Sequence, residues 1–521
     1  MDSTRRARAF HPLLFMLYPV LYLFARNADL FRFREIVVPL LFVLLPAMAA
    51  WLLLRLFVRD PHKAALLVSL AVLFFFSYGH VKNAVLALTP GDIVLGRNRY
   101  LFPLLGVMFL AVVYVVVRTR RAVSRLTPLL NVAAVILVGL SVVQIGYARL
   151  ARKAVPEAGI VRLSPPSDPQ AVPDIYYLIL DGYAGEDVLA ETFNYDNSEF
   201  YRQLEQRGFF VSRSSRSNYC RTLLSLASSL NLTYLDSLAG WDASDRSPLL
   251  RMIWSSRLAR SLRLAGYKSV VFASPLPTTE RAAAEVYVAP RWSPGQLGNA
   301  LLNITPIPGL LALASPALSS LQYDWHRRSL LYTFDHLGDW ARSDEPVFVF
   351  AHILAPHPPF VFGADGRAVS ADRMFFYHDG DDFLRLGGTY EEYLLDYPSQ
   401  LEYVNALTLA AIDTILARSV RPPIIVLQAD HGARIRPDSL DFNPAYHRRL
   451  FSILNALYVP DPCLRLLRDD LSPVNNFRVI FDRYFGTELP LLPDRCYYSS
   501  WEGLYDFVDV TRDARPVNAG P

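Results

Sequence analysis

Five long apolar runs crowd the start of the chain, at Phe10–Ala25, Ile36–Val58, Ala64–Gly79, Leu101–Val117 and Leu129–Ala148. Water cannot accommodate that much contiguous apolar surface, whereas a helix of about 20 such residues spans a hydrocarbon core of roughly 30 Å. The second and fifth runs reach that length easily. The first and third are shorter and are expected to extend into their flanks, and Leu101–Val117 sits near the lower limit of about 17 residues. For the short runs the alternative is a re-entrant or buried helix. The expected fold class is therefore a bundle of about five transmembrane helices over residues 1–150, followed by something different.

Composition shows where the difference lies. Of 521 residues, 52% are hydrophobic and 19% charged, against roughly 45–50% and 25% in soluble domains. The excess is confined to residues 10–148; beyond them the chain has an ordinary globular composition. Disorder, collagen, a small disulfide scaffold and a wholly soluble protein are excluded. A net charge of +4 is too slight on this length to argue for nucleic acid. With the amino terminus inside, basic residues number ten on the inner side (Arg5, Arg6, Arg8, Arg55, Arg59, Lys63, Arg118, Arg120, Arg121, Arg125) and six outside. Five crossings then deliver the rest of the chain to the outer side of a cytoplasmic membrane. The first run lacks a small-residue cleavage site and reads as an anchor. Cys220, Cys463 and Cys496 all fall on the outer side, where a Cys463–Cys496 pair and three free thiols are both open.

Residues 151–173, with Pro156, Pro165, Pro166, Pro169 and Pro173, read as a stiff extended linker. Residues 174–515 hold short apolar runs at Ile175–Leu180, Ser269–Ala273, Val347–Ile353, Ile424–Gln428 and Ile453–Val459. Helical stretches separate them, most clearly Tyr390–Arg418, with a break expected near Pro398. Buried strands alternating with helices predict an α/β domain on a mostly parallel sheet. The run Leu301–Leu321, broken by Pro306, Pro308 and Pro316, reads as a buried loop and short helix, with a dip into the outer leaflet as the other option.

Ligands bind beyond the carboxyl ends of strands in such sheets. Asp181 stands at one end, Asp430 and His431 at a second, and His357 beyond a third. Carboxylates and imidazoles are ligands for a divalent metal. His352 alternates into an apolar strand and reads as a core histidine. Thr222 opens a helix-like pattern, where free backbone N–H groups favour an anionic substrate and a metal can stabilise an alkoxide. Arg221 beside it can steer an anion.

Together these residues resemble the alkaline phosphatase and sulfatase superfamily, and within it the membrane-anchored lipoteichoic acid synthases and lipid A phosphoethanolamine transferases. That branch has about five transmembrane helices and an extracytoplasmic sulfatase-like α/β domain. Asp181 matches its first metal ligand, Thr222-Leu-Leu-Ser225 its nucleophile motif, Asp430-His431-Gly432 a later ligand pair, and His357-Pro-Pro-Phe360 its phosphate-contacting histidine. His447, sixteen residues beyond His431, matches its assisting histidine more loosely. The resemblance implies one divalent ion (manganese, zinc or magnesium) on Asp181, Thr222, Asp430 and His431, with His357, His447 and Arg221 binding substrate. It implies transfer of a phospho-group from a membrane phospholipid to a glycan or lipid acceptor through a covalent threonine intermediate. A phosphodiesterase, phosphatase or sulfatase-like hydrolase is the alternative, and an inactive membrane scaffold the alternative from another class. Two features depart from the family. Cys220-Arg-Thr-Leu-Leu lacks the proline and arginine of a true sulfatase motif, and three cysteines cannot supply the disulfides usual in phosphoethanolamine transferases.

Overall fold

The computed structural model describes residues 8–28, 31, 33–88, 98–120, 122–150, 159–166, 168, 171–276, 279, 284–290, 295–315, 320–370, 375, 377, 380–385, 388–435, 444–459, 464 and 466–515. The chain divides into two compact units, residues 1–153 with 294–321, and residues 154–293 with 322–521. The helices that frame the bundle and the site are, in chain order, α1 (His11–Arg26), α2 (Val37–Phe57), α3 (Pro61–Leu88), α4 (Asn98–Arg118), α5 (Thr127–Leu150), α6 (Thr222–Asn231), α7 (Gly295–Asn303), α8 (Ile307–Ala314), α9 (Tyr390–Arg418), α10 (Pro444–Phe451) and α11 (Thr511–Ala514). The strands of the main sheet are β1 (Ile175–Leu180), β2 (Phe210–Val211), β3 (Lys268–Phe272), β4 (Val286–Val288), β5 (Val347–Ile353), β6 (Ile424–Gln428) and β7 (Asn455–Tyr458).

Among the described residues of the first unit, four helices are long and apolar enough to cross a bilayer, over Val37–Phe57, Pro61–Val85, Asn98–Arg118 and Val123–Ala148. The first expected span, α1, has 16 residues, a rise of about 24 Å at 1.5 Å per residue. It buries Phe15, Met16, Val20 and Phe24 against its neighbours. By contrast, α2 and α4 turn leucines, valines and phenylalanines outward, among them Leu41, Phe42, Leu45, Leu104 and Val107. A helix apolar on its outer face suits hydrocarbon as solvent. Two hydrogen bonds tie polar groups together inside the bundle. Asn131 accepts the backbone N–H of His11 at 2.9 Å, and His11 Nδ1 lies 2.7 Å from Ser69 Oγ. The same unit takes in α7 and α8 from the middle of the sequence span 174–515. Leu297 and Leu301 join the core around Phe15 and Val20.

The second unit is an α/β domain. Its sheet has seven strands in the order β2-β7-β6-β1-β5-β3-β4. Strands β6, β1, β5, β3 and β4 run parallel, and β7 and β2 close one edge antiparallel. Every residue of β1, β5 and β6 is buried, as continuous apolar runs covered on both faces require. Register fixes the height at which each strand releases the chain. Ile179 pairs with His352 on one side and with Gln428 on the other, so β1, β5 and β6 end level. Asp181 and Asp430, each two residues past that row, emerge at the same height. At the opposite end, Asp174 Oδ1 accepts from Arg421 at 2.9 Å and from Val347 N at 3.0 Å, tying three strands together. One helix, α9, runs unbroken through Pro398. The break expected there does not occur, because Tyr397, Gln400 and Leu401 are fully buried around it.

Candidate active site

Two tight turns place the carboxylates. After β1 the chain turns at Gly182, whose φ of +70° suits a residue without a Cβ. The Tyr397 hydroxyl fixes this turn, donating to Gly182 O at 2.8 Å and accepting from Ala184 N at 2.9 Å. After β6, Gly432 N donates to Leu450 O at 2.7 Å. A Cβ at Gly432 would lie 2.2 Å from Arg449 O and 2.6 Å from Ser452 O. Only glycine lets the Asp430-His431 corner press against the end of α10. Gly182 N donates to Asp430 Oδ1 at 3.1 Å, linking the two turns.

Thr222 is the first residue of α6, with Arg221 extended before it at φ −135°, ψ 136°. Its hydroxyl lies 3.3 Å from His431 Nε2. His431 Nδ1 sits 2.8 Å from Gly432 O, so the ring donates there and its Nε2 lone pair faces inward. That nitrogen is 3.5 Å from Asp430 Oδ2 and 3.6 Å from Asp181 Oδ1. Both carboxylate oxygens are buried and receive no hydrogen bond from a described residue. Asp181 Oδ1, Asp430 Oδ2 and the imidazole lone pair therefore converge, with the Thr222 hydroxyl beside them. Such a set repels itself unless a cation joins it, and Asp181, Asp430 and His431 lie close enough together to hold one metal ion. Burial, and then the neighbouring Asp181 charge, push the Asp430 carboxyl above its ordinary pKa. Burial also opposes ionisation of Asp181, but the imidazoles of His357, His352 and His431 outweigh it and hold that carboxyl below the usual range.

His352 belongs to this cluster, although its place in an apolar strand suggests a core role. It is buried, with Nε2 3.1 Å from Asp181 Oδ2. The signal that could have found it is its pairing with Ile179, two residues before Asp181 on the adjacent parallel strand. His357 follows on the loop after β5, between the cis bonds Ala355–Pro356 and Pro358–Pro359. Its Nδ1 contacts Pro358 O, and the Gln400 amide donates to its carbonyl at 3.2 Å. Its ring and that of His431 flank Gly182, each within 3.8 Å of where a Cβ would stand.

Two other expected residues are held by groups of their own. Arg221 donates to Ser499 O at 3.0 Å and lies over the Trp501 ring, 4.2 Å from its centre, where Arg246 also approaches to 5.0 Å. His447, on α10, is buried with Nδ1 3.0 Å from Asp513 Oδ2 on α11. Cys220 and Cys496 are buried free thiols, and burial pushes Cys496 up to about 12. The Cys463–Cys496 pairing lies outside the described residues.

No family model and no curated protein matches the chain. Several solved structures are similar to it. The zinc complex of the C-terminal periplasmic domain of EcEptC from Escherichia coli is 11% identical, covering 69% of this chain and 99% of that one, with a TM-score of 0.44. The integral membrane lipooligosaccharide phosphoethanolamine transferase A from Neisseria meningitidis is 14% identical, covering 91% and 96%, with a TM-score of 0.39. The phosphonate monoester hydrolase of Agrobacterium radiobacter is 13% identical, covering 63% and 80%, with a TM-score of 0.38. Similarity at this level leaves the chemistry to this chain's own side chains.

Proposed function

We propose that the chain is a membrane-anchored phospho-group transferase. It takes its group from a phospholipid and passes it to a glycan or lipid hydroxyl of the cell envelope. The observation that carries the reading is the convergence of Asp181, Asp430 and His431 Nε2, with the Thr222 hydroxyl at a helix start 3.3 Å from that nitrogen. Asp181, Asp430, His431 and the Thr222 oxygen would hold one divalent cation, manganese, zinc or magnesium. When bound, that ion supplies charge that stabilises a threonine alkoxide and the non-bridging phosphate oxygens.

The chain's own residues do the rest. Thr222 Oγ forms a bond to phosphorus, and the bond from phosphorus to the lipid alcohol oxygen breaks. The proton lost by Thr222 is balanced by the one gained at the departing alcohol, with His447 as its carrier. The free N–H groups at the start of α6 and the His357 ring bind the non-bridging oxygens. In the second half, the acceptor oxygen bonds to phosphorus as the bond from phosphorus to Thr222 Oγ breaks, and the acceptor's proton passes through His447 to restore the Thr222 hydroxyl. Arg221 draws the anionic donor toward the helix start.

Residues 1–150 as membrane anchor, 151–173 as linker and 174–515, apart from the inserted 294–321, as an outer catalytic domain follow from the same reading, with the amino terminus inside. Membrane anchorage supports a lipid donor, which reaches an anchored enzyme by lateral diffusion. The test is mass spectrometry of the full-length protein after incubation with membrane lipids and each metal, for native protein and Thr222→Ala. The native peptide spanning Thr222 should gain the mass of the transferred group and the variant should not. Loss of that mass in water alone, at the rate seen with acceptors, would assign a hydrolase. No added mass with any metal would reject the reading.

A further inference from the structure

The segment that leaves the middle of the α/β sequence to join the helical bundle has an unusual composition. No Asp, Glu, Lys or Arg occurs between Arg291 and Asp324. Two of the prolines that make Leu301–Leu321 look like a loop start a helix instead. Pro306 precedes α8 and Pro308 lies in its first turn, where a missing N–H costs nothing. Thr305 Oγ1 adds to that start, accepting from Ile307 N at 3.2 Å.

The segment docks at one end of the bundle. Gly79 N donates to Ile304 O at 3.0 Å, and a Cβ at Gly79 would meet Asn303 O at 2.4 Å. Gly79 lies eighteen residues beyond Pro61, the start of α3, a rise of about 27 Å along the helix. That is close to the roughly 30 Å of a hydrocarbon core. Gly309 packs equally close to α4, its Cβ position 2.7 Å from both Asn98 Nδ2 and Phe102 Cζ. Asn98, the first residue of α4, also accepts the Tyr78 hydroxyl at 2.7 Å, and Tyr78 stacks on Phe102 at 5.0 Å. So α8 lies at the boundary of the apolar slab, with its Gly309 face against α4.

Its other face is apolar and uncovered. Leu310 is 49% exposed and Leu313 67%, and Ala314 is exposed with them. At spacings of three and four they form one stripe. On α4, Leu104 and Val107, two and five residues beyond the Phe102 that Gly309 meets, are likewise apolar and exposed. An uncharged apolar stripe on a helix docked against a lipid-facing helix is an interfacial membrane surface. We propose that the Leu310–Leu313–Ala314 face of α8 is seated in the acyl chains of the leaflet nearest the start of α4. The inserted segment is then a second membrane attachment, separate from the spanning helices.

The test uses the full chain with Cys463→Ser, reconstituted in vesicles of phosphatidylcholine and phosphatidylglycerol. Cys220 and Cys496 are buried and resist labelling. A nitroxide is attached at Leu310→Cys, Leu313→Cys, Val107→Cys or, in the other unit, the 70% exposed Leu264→Cys. Collision rates with molecular oxygen and with a water-soluble nickel chelate are measured for each. The oxygen-to-nickel ratio at 310 and 313 should exceed that at 264 several-fold and approach that at 107. A ratio equal to that at 264 would overturn the proposal by placing the stripe in water. Exclusion of both reagents would overturn it in favour of a protein partner or a second copy.

Discussion

His352 is held between two groups, with Nε2 3.1 Å from Asp181 Oδ2 and Nδ1 3.0 Å from Thr279 Oγ1. The Thr279 hydroxyl donates its proton to Leu276 O at 3.2 Å, so it accepts from His352 Nδ1–H. Nε2 then faces Asp181 and helps to hold that carboxylate in place. Groups that orient a ligand typically change metal affinity by about 10- to 100-fold when removed. His352→Ala is expected to weaken manganese or zinc binding by that factor while the thermal midpoint of the metal-free protein moves little. Calorimetric titration with each metal checks it, and unchanged affinity would return His352 to a packing role.

That histidine also marks what the sequence makes legible. Asp181, Asp430 and His431 stand out because buried parallel strands read as unbroken apolar runs, and a polar residue where the run stops is visible locally. His352 lies inside its run, and only the register of β1 against β5, over 170 residues apart in sequence, pairs it with Ile179, two residues before Asp181. The docking of 294–321 on the helical bundle was hidden for a different reason. Prolines at a helix start and prolines in a loop look alike until the backbone is seen, and Gly79 reveals its role only with Ile304 against it. The Asp513 partner of His447 is likewise a long-range pairing that no local pattern announces.

Acid should destabilise the protein through His326. This side chain is buried against Phe375 and Tyr377. Burial, and then the nearby His357, lower its pKa from 6.5 to about 3. In the unfolded chain it titrates near 6.5, so below that pH the unfolded state binds a proton that the native state refuses. Stability therefore falls as pH falls from 6.5 toward 3, by up to about 1.4 kcal/mol per pH unit from this group. Thermal midpoints from pH 7 to pH 4.5 should drop less steeply in His326→Phe than in the native protein. Parallel slopes would show that other groups dominate acid unfolding.

Gly432 tests whether the metal corner depends on close backbone contact. Its Cβ would fall 2.2 Å from Arg449 O, a main-chain atom with little room to yield. Gly432→Ala is expected to cost about 1–3 kcal/mol, the range for overpacking, and to displace His431 enough to weaken metal binding. Gly139→Ala is the contrast, because nothing stands within 4 Å of its Cβ position. Thermal unfolding and metal titration of both variants check this. Equal behaviour would mean that α10 can shift away from the Asp430-His431 turn at no cost.

Asp513 is expected to act through His447. The pair joins α11 to α10 at 3.0 Å, and α11 is itself pinned by Arg216 Nε donating to Ala514 O at 2.7 Å. Anchoring Nδ1 leaves Nε2 as the only ring nitrogen free to carry a proton to a departing alcohol. The nitrogen stays in use only if the ring cannot turn. Asp513→Ala should therefore slow turnover by about 100-fold, the foot of the range for general acid–base catalysis, without altering metal affinity. Asp513→Asn keeps an acceptor oxygen for Nδ1–H and should recover part of the loss. Substrates whose leaving group needs no proton, such as a nitrophenyl phosphodiester, should be nearly insensitive to both changes. If turnover on such a substrate falls as far as on a lipid donor, Asp513 supports the fold of the chain terminus and His447 is not the proton carrier.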